Sequence, residues 1–323
     1  MKKLILLLML GIPLLLISCG SDETSVVNPP AVSSTISADT SASAPTLSSV
    51  NEATWNSVTA TIIDLNSGGF TKEVSGKAAV ADQIAVQAIK KGGKLFLRLN
   101  WSDPDNSLNR EPIVCNDTLG LSFTIYDSVS YGRPFAEDQL FIMFEGAPGG
   151  GWDVWNWRSL TTGKAFLAEG KRYNNGVFTK DAGSQLPALS NANAPLNRPS
   201  YIPNDITSFS GYVLYSSDAI PFQTVSGWTA QKSIPGYRID TSVISNLENF
   251  PQSHWDIKTV DNYSGSSYTV VLARDLNTGY ADDLDMSSLS SVNLRITVLE
   301  NQISFIPTGS SNQHSSGVIK LEL

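Results

Sequence analysis

Residues 95–101 read Leu-Phe-Leu-Arg-Leu-Asn-Trp, and this stretch decides the fold class. In an extended chain its three leucines and its tryptophan fall on one face, whereas Phe96, Arg98 and Asn100 fall on the other. Because side chains alternate between the two faces of a strand, this period of two predicts a half-buried β-strand.

The preceding sequence supplies a partner strand. Ile84, Val86 and Ala88 alternate in the same way, and the Lys-Gly-Gly-Lys of residues 91–94 is typical of a hairpin turn. No stretch keeps a helical period for more than three turns. Further strands are predicted at 58–65, 119–126, 138–145, 210–216, 267–275, 292–300 and 317–323. Many strands without helices predict an all-β protein, and we expect a β-sandwich.

Residues 146–210 contain many Gly, Pro, Asn and Ser residues and predict long irregular loops in this sandwich. Within them Trp152, Trp155 and Trp157 lie within six residues of one another, next to three glycines. Trp155 and Trp157 fall on one face of an extended chain.

The N-terminus carries an export signal. Lys2 and Lys3 precede an apolar run, residues 4–17, which is shorter than the roughly 20 residues of a membrane-spanning helix. The Leu-Ile-Ser-Cys that ends at Cys19 resembles the lipobox of bacterial lipoproteins, where the cysteine receives a diacylglyceryl group after cleavage just before it. We therefore predict a lipoprotein signal peptide at 1–18 and a lipid anchor on Cys19.

Residues 19–52 are rich in Ser, Thr, Ala and Pro and predict a lipidated flexible tether, which leaves residues 53–323 as the folded domain. No Asp directly follows Cys19, which by analogy with lipoprotein sorting favours the outer membrane. The expected location is therefore membrane-anchored, on the periplasmic or cell-surface side.

Composition and missing motifs exclude several classes of function. The net charge is −8, so nucleic-acid binding is disfavoured. His254 and His314 are the only histidines, which excludes a multi-histidine metal site. The chain also lacks Cys-x-x-Cys-His for covalent haem, Gly-x-Ser-x-Gly, a P-loop, a dinucleotide fingerprint and His-Glu-x-x-His.

Five segments carry a family resemblance in their order along the chain. They are Asn-Trp-Ser-Asp at 100–103, Glu-Asp-Gln-Leu at 137–140, Asp-Val-Trp-Asn-Trp-Arg at 153–158, Tyr-Thr-Val-Val-Leu-Ala-Arg-Asp-Leu at 268–276 and His-Ser-Ser at 314–316. Together they resemble the haem-binding domain shared by the γ subunit of ethylbenzene dehydrogenase and by related γ subunits and cytochromes of the DMSO-reductase family. The resemblance covers roughly residues 53–323.

The resemblance implies a β-sandwich that holds one non-covalent b-type haem and passes electrons. In the dehydrogenase γ subunits the axial ligands are a methionine and a lysine. At the matching positions this chain has Met143 and His314, and a methionine–histidine pair is chemically suited to electron transfer. Trp155 and Trp157 are candidates for a haem wall, although tryptophans at such positions more often belong to the sandwich core. His254 is a weaker candidate ligand.

The implied function is one-electron exchange without catalysis. The expected partners are periplasmic or surface redox proteins, including a molybdenum oxidoreductase or a cytochrome. The alternative is a carbohydrate-binding-like module without haem that uses exposed tryptophans. Convergence of Met143 and His314 on one pocket would favour haem. The acidic stretch 281–285 fits either a Ca²⁺ site or a solvated turn.

Overall fold

The structure is a computed structural model. It describes residues 35–68, 82–104, 137–159, 162–163, 166–182, 253–300, 307 and 313–323, and the backbone alone of strands at 113–115, 123–125, 201–203, 220–221, 232–234 and 237–239. The described residues belong to one compact unit, residues 32–323. The predicted signal peptide, Cys19 and the predicted strand at 210–216 lie outside the described residues.

The described elements are strands and two short 3-10 turns, the latter at Ala53–Ser57 and Ser253–Trp255. The strands are β1 Thr35–Ser37, β2 Thr61–Asp64, β3 Gln83–Lys91, β4 Lys94–Ser102, β5 Ile113–Cys115, β6 Phe123–Ile125, β7 Gln139–Glu145, β8 Trp152–Arg158, β9 Leu167–Asn174, β10 Val177–Lys180, β11 Tyr201–Pro203, β12 Ile220–Pro221, β13 Lys232–Ile234, β14 Tyr237–Ile239, β15 Ile257–Tyr263, β16 Ser267–Asp275, β17 Ser291–Leu299, β18 Gln313–Ser315 and β19 Ile319–Glu322. Among the residues described, no helix is long and apolar enough to cross a bilayer.

One continuous hydrogen-bonded path runs through most of these strands in the order β1-β19-β17-β7-β8-β9-β15-β16-β4-β3-β2. We call β1, β19, β17, β7, β8 and β9 the front sheet and β15, β16, β4, β3 and β2 the back sheet. Strand β9 pairs with β8 on one side and with β15 on the other, so it joins the two sheets. Trp157 of the front sheet packs edge-on against Trp101 of the back sheet, with ring centroids 6.0 Å apart. The predicted β-sandwich is confirmed.

The core between the sheets is built from the alternation seen in the sequence. The leucines and tryptophan of residues 95–101 all lie in this core, as do Ile84, Val86 and Ala88 of the paired strand. Between these strands Gly92 and Gly93 have φ values of +61° and +75°, which only glycine adopts without strain. The predicted hairpin is therefore confirmed.

The N-terminal boundary differs from the prediction. Residues 35–52, predicted to belong to a flexible tether, are folded: β1 pairs in parallel with β19, and Ile36 is buried in the main core. Val50 and Trp55 then pack with Phe96 on the outer face of the back sheet. The segment needs few apolar residues because the rest of the domain supplies its partners, so its composition alone did not reveal it.

Residues 152–180 also differ from the prediction of an irregular region, because they form β8, β9 and β10. In β9, Glu169 and Lys171 alternate with Ala168 and Gly170. Glu169 and Lys171 are buried in spite of their charges, so the pattern of this strand did not resemble that of an ordinary half-buried strand.

Candidate functional site

Met143 lies on the outer face of the front sheet. In the register of β7, β8 and β17 it is paired with Val154 and Arg295, whereas its neighbours Ile142 and Phe144 point into the sandwich core. Met143 is fully buried in a separate cluster that contains Phe141, Val154, Tyr173 and Leu299.

His314 lies on the inner face of the same sheet. It is paired with Val298, which is paired with Leu140, which is paired in turn with Trp157; the last three are core residues. The imidazole is 5% exposed, and neither ring nitrogen makes a hydrogen bond to any residue that the structure describes. Burial lowers the pKa of His314, so the ring is held neutral, as a metal ligand must be.

Met143 and His314 therefore do not converge. Directly paired residues of neighbouring strands share a face, so Leu140 lies on the same face as His314. Met143 is three positions along β7 from Leu140, and side chains alternate between faces, so Met143 lies on the opposite face. The backbone of the sheet stands between their donor atoms. A single haem held by both residues does not fit the described strands, and the ligand role of each remains a prediction.

Trp155 and Trp157 share the inner face, as their spacing predicts, and both are fully buried. Trp157 packs against Tyr268 as well as Trp101, while Trp155 lies under the Arg274 guanidinium at 5.0 Å. These are sandwich-core contacts. Of the tryptophans described with side chains, Trp152 is half-buried and all the others are buried. The described tryptophans therefore form no exposed stacking platform.

A buried polar cluster next to Met143 was missed in the sequence. Lys171 and Met143 lie on the same face, separated by Val154 in the strand between them. The Lys171 Nζ lies 2.5 Å from Glu169 Oε2 and donates a hydrogen bond to Asn156 Oδ1 at 2.7 Å. We call Asn156, Arg158, Glu169, Lys171 and His254 the outer-face cluster.

The charges of the outer-face cluster are strongly coupled. Burial opposes ionisation of Glu169, but Arg158, Lys171 and His254 outweigh it and hold its pKa well below the usual range. Burial lowers the pKa of Lys171 to about 8, although Glu169 acts in the opposite direction. Burial likewise lowers the pKa of His254 to about 4, and its Nδ1 donates to the carbonyl of Gly170 at 2.7 Å.

The two faces thus offer different donor sets. On the outer face the Met143 thioether and the Lys171 amine lie on either side of Val154, and that amine is already held by a carboxylate and an amide oxygen. On the inner face the His314 imidazole is buried and has no hydrogen-bond partner among the residues described. An unpaired buried polar group is costly, and in a cofactor protein it is a natural place for a ligand.

A second buried charge cluster links the sheets. Arg274 of β16 forms a two-pronged ion pair with Asp153 of β8, with Nη2 2.6 Å from Oδ2 and Nη1 3.1 Å from Oδ1. Asp283 lies 3.4 Å from the same guanidinium, and the backbone N–H of Leu284 donates to Asp153. Arg274, which belongs to one of the segments that carry the family resemblance, is thus part of the structural core, whereas the next residue, Asp275, is exposed.

The calcium hypothesis for residues 281–285 receives no support. Asp282 accepts from the backbone N–H of Ala182, and Asp285 accepts from Ser287 and Asn277. In the part of the chain that the structure describes, no three His, Cys, Asp or Glu side chains converge to hold a metal ion. The stretch is a turn that its own carboxylates stabilise.

The comparisons with known proteins identify the family of this chain. The chain matches the family described as ethylbenzene dehydrogenase over residues 52–303, most of its length, and therefore belongs to that family. No curated protein matches it.

Solved structures similar to this chain include a carbohydrate-binding module of family 9 from Caldicellulosiruptor kristjanssonii. Its complex with cellotriose is 12% identical and aligns over 89% of this chain and 92% of that one, with a TM-score of 0.34. Its complex with glucose has the same identity and TM-score and aligns over 89% and 95%.

Proposed function

We propose that this chain is a lipid-anchored electron-transfer protein that binds one non-covalent b-type haem, with His314 as an axial ligand. The observation that carries this proposal is the buried imidazole of His314, neither nitrogen of which is hydrogen-bonded to a described residue, in a chain that belongs to the ethylbenzene dehydrogenase family. The role is that of a non-catalytic component of an oxidoreductase system.

The residues near His314 suit a buried cofactor. The imidazole is kept neutral by burial, so no proton has to leave before it binds a metal. A bound haem would supply one-electron exchange at its iron. The same inner face presents Leu140, Val298 and Trp157, whose apolar surfaces exclude water.

Met143 is not the partner of His314 in this proposal. The alternative donor set is Met143 with Lys171, which share the outer face, but there Glu169 and Asn156 would have to release the amine first. Breaking a buried ion pair leaves an uncompensated charge, which costs about 3–5 kcal/mol. The free imidazole is therefore favoured over the engaged amine.

The test is an absorption spectrum of the full chain, produced with haem supplied and also titrated with haemin. We expect a Soret band that sharpens on dithionite reduction and is lost in His314→Gln. Met143→Leu keeps the volume of the side chain, and Lys171→Arg keeps the ion pair but provides no neutral amine. Both variants should retain the spectrum.

Two outcomes would contradict the proposal. A colourless chain that does not take up haemin removes the haem function altogether. Loss of the spectrum in Met143→Leu and Lys171→Arg, with His314→Gln unaffected, moves the haem to the outer face.

The anchor and the partners complete the proposal. A lipid on Cys19 would hold the domain at the periplasmic or cell-surface side of the outer membrane, where it exchanges electrons with a molybdenum oxidoreductase or a cytochrome. Cys19→Ser should then shift the chain from the membrane fraction to the soluble fraction. Unchanged fractionation would argue against lipidation at this residue.

A further inference from the structure

Three aromatic rings from distant parts of the chain meet in the core between the two sheets. Trp101 and Tyr268 are directly paired on neighbouring strands of the back sheet, and their rings stack with centroids 5.3 Å apart and 27° between the ring planes. Trp157 of the front sheet packs edge-on against both, at 6.0 Å from Trp101 and 5.5 Å from Tyr268. We call Trp101, Trp157 and Tyr268 the aromatic triad. Its rings are in mutual contact, and all three belong to segments that carry the family resemblance.

The phenol of Tyr268 has a buried carboxylate as its acceptor. Its hydroxyl donates to Asp138 Oδ2 at 3.0 Å, and both residues are at most 1% exposed. Burial, followed by the negative charge of Asp138, raises the pKa of Tyr268, while a hydrogen bond with Ser159 acts in the opposite direction. The phenol therefore keeps its proton at neutral pH. A phenylalanine would fill the same apolar space without needing a buried acceptor, so packing alone does not account for this pair.

The two indoles of the triad have no such acceptor. Trp101 Nε1 and Trp157 Nε1 are buried and have no hydrogen-bond partner among the residues that the structure describes. An indole that loses an electron has no base beside it to take its proton, whereas the phenol of Tyr268 has one. An electron vacancy that reaches any ring of the triad is therefore most stable on Tyr268, where loss of the electron can be coupled to movement of a proton.

Tyr263 connects the triad to the surface. It is directly paired with Tyr268 on the neighbouring strand β15, and the two ring centroids are 4.8 Å apart. Tyr263 is half-buried, and its hydroxyl donates to the backbone carbonyl of Asp103 at 3.0 Å. A carbonyl is a far weaker base than a carboxylate, so Tyr263 passes a vacancy on rather than holding it.

The other end of the triad faces the strands that lead to His314. Trp157 is paired with Leu140, Leu140 with Val298, and Val298 with His314. These are three steps between strands, or about 14 Å in total, because neighbouring strands lie about 4.8 Å apart. The rings thus form a route from the interior on the His314 side to the half-buried Tyr263.

We propose that Tyr268 is a redox-active tyrosine, and that the triad and Tyr263 carry one-electron oxidations between the interior of the domain and its surface. A strong one-electron oxidant, of the class of high-potential metal complexes, takes one electron from the phenol. The phenolic O–H bond breaks and its proton moves to Asp138 Oδ2. The products are a neutral tyrosyl radical, a protonated carboxyl group and the oxidant reduced by one electron. Return of an electron through Tyr263 brings the proton back.

The use of this relay in the cell rests on the proposed function, since there it leads strongly oxidising equivalents away from a cofactor at His314. The chemistry of the rings needs no haem. The test therefore uses the full chain produced without added haem, illuminated with tris(bipyridine)ruthenium(II) and pentaamminechlorocobalt(III) as an irreversible electron acceptor. The ruthenium(III) complex that forms takes one electron from the protein, and samples frozen at successive times are measured by high-field EPR.

We expect a tyrosyl signal that outlives the signals of exposed tyrosines, because Tyr268 is shielded from solvent, and that is lost in Tyr268→Phe. Asp138→Asn keeps the size of the side chain and an acceptor oxygen but is a far weaker base. It should slow the formation of this signal at least tenfold, since a positioned base contributes roughly 10²–10⁴-fold to proton transfer. Tyr263→Phe should also slow it at least tenfold, because the route from the surface is interrupted.

Tyr173→Phe is the matched control. Tyr173 is a buried tyrosine of the separate cluster around Met143, where its ring packs against Phe178. This variant should leave the long-lived signal unchanged. Urea unfolding checks that each variant is folded, and if Tyr268→Phe does not fold, Asp138→Asn and Tyr263→Phe decide the question.

Three results would overturn the proposal. They are the absence of a long-lived tyrosyl signal, its survival in Tyr268→Phe or an unchanged rate of formation in Asp138→Asn, and its equal loss in Tyr173→Phe. Because the experiment contains no haem, failure of the chain to bind haem would leave its outcome unchanged. Loss of the relay would likewise leave the haem spectrum unchanged, so the two proposals can fail separately.

Discussion

Met143 and His314 lie on opposite faces of the front sheet, although β17 is the one strand between β7, which carries Met143, and β18, which carries His314. The reason is that side chains alternate between the two faces of a strand, so residues an odd number of positions apart lie on opposite faces. His314, Val298 and Leu140 are directly paired and share the inner face, and Met143 is three residues beyond Leu140. Two side chains that the sequence offers as one ligand pair are therefore separated by the backbone of the sheet.

His254 should remain neutral far below the usual pKa of histidine. Burial lowers its pKa to about 4, and because the Gly170 carbonyl can only accept, the proton sits on Nδ1. The contribution of neutral His254 to the free energy of unfolding should be fully present above pH 6.5 and should decline as the pH falls towards 4. The measurement is a pH titration of imidazole NMR shifts, assigned with His314→Gln. A His254 pKa near 6.5 would contradict this picture.

Arg274→Ala should destabilise the domain by about 3–5 kcal/mol, because it leaves the buried carboxylate of Asp153 without its partner. Urea unfolding followed by tryptophan fluorescence measures the loss. Lys94→Ala provides the comparison, since it removes an exposed ion pair with Asp275 and should cost about 0–1 kcal/mol. Similar losses of stability in the two variants would mean that the buried Arg274–Asp153 pair stabilises the domain no more than the exposed Lys94–Asp275 pair does.

Asp181→Asn should stabilise the domain at pH 8. Burial, with added repulsion from Asp153 and Asp283, raises the pKa of Asp181 to about 8. The folded chain therefore keeps a proton that the unfolded chain loses near pH 4, so the contribution of Asp181 to stability declines as the pH rises from 4 to 8.

The asparagine variant removes this decline, and unfolding curves at several pH values between 4 and 8 measure it. Asp285→Asn is the control, because Asp285 is exposed and hydrogen bonds from Ser287 lower its pKa. Parallel pH profiles for wild type and Asp181→Asn would refute the raised pKa.

A chain that begins at residue 53 should fold poorly, whereas one that begins at residue 32 should fold normally. The shorter chain lacks Ile36, which is 1% exposed in the main core, and Val50, which is 3% exposed on the back sheet. Each fully buried aliphatic side chain contributes about 1.5–3 kcal/mol, against a total stability of about 5–15 kcal/mol. The measurement is the melting temperature of each of the two chains in thermal unfolding. Equal melting temperatures would support the prediction that residues 19–52 form a flexible tether.

The sequence by itself determined the fold class and the hairpin, because alternation along residues 95–101 is a local property of one strand. It also determined that Trp155 and Trp157 share a face, and its ordered segments led to the ethylbenzene dehydrogenase family. These inferences need only the two-residue period of an extended chain or the order of segments along it.

Tertiary structure decided the rest, because pairing between distant strands sets which faces are buried and which residues meet. Residues 35–52 fold only because β1 pairs with β19 and because the residues that follow β1 pack on the back sheet. Lys171 and Met143 share a face only because β8 pairs with both of their strands in this register, and His314 turns inward only because β18 pairs with β17 as it does. The local pattern and the turn fix the register of a hairpin such as β3–β4, whereas the register between strands far apart in the chain depends on contacts between distant segments.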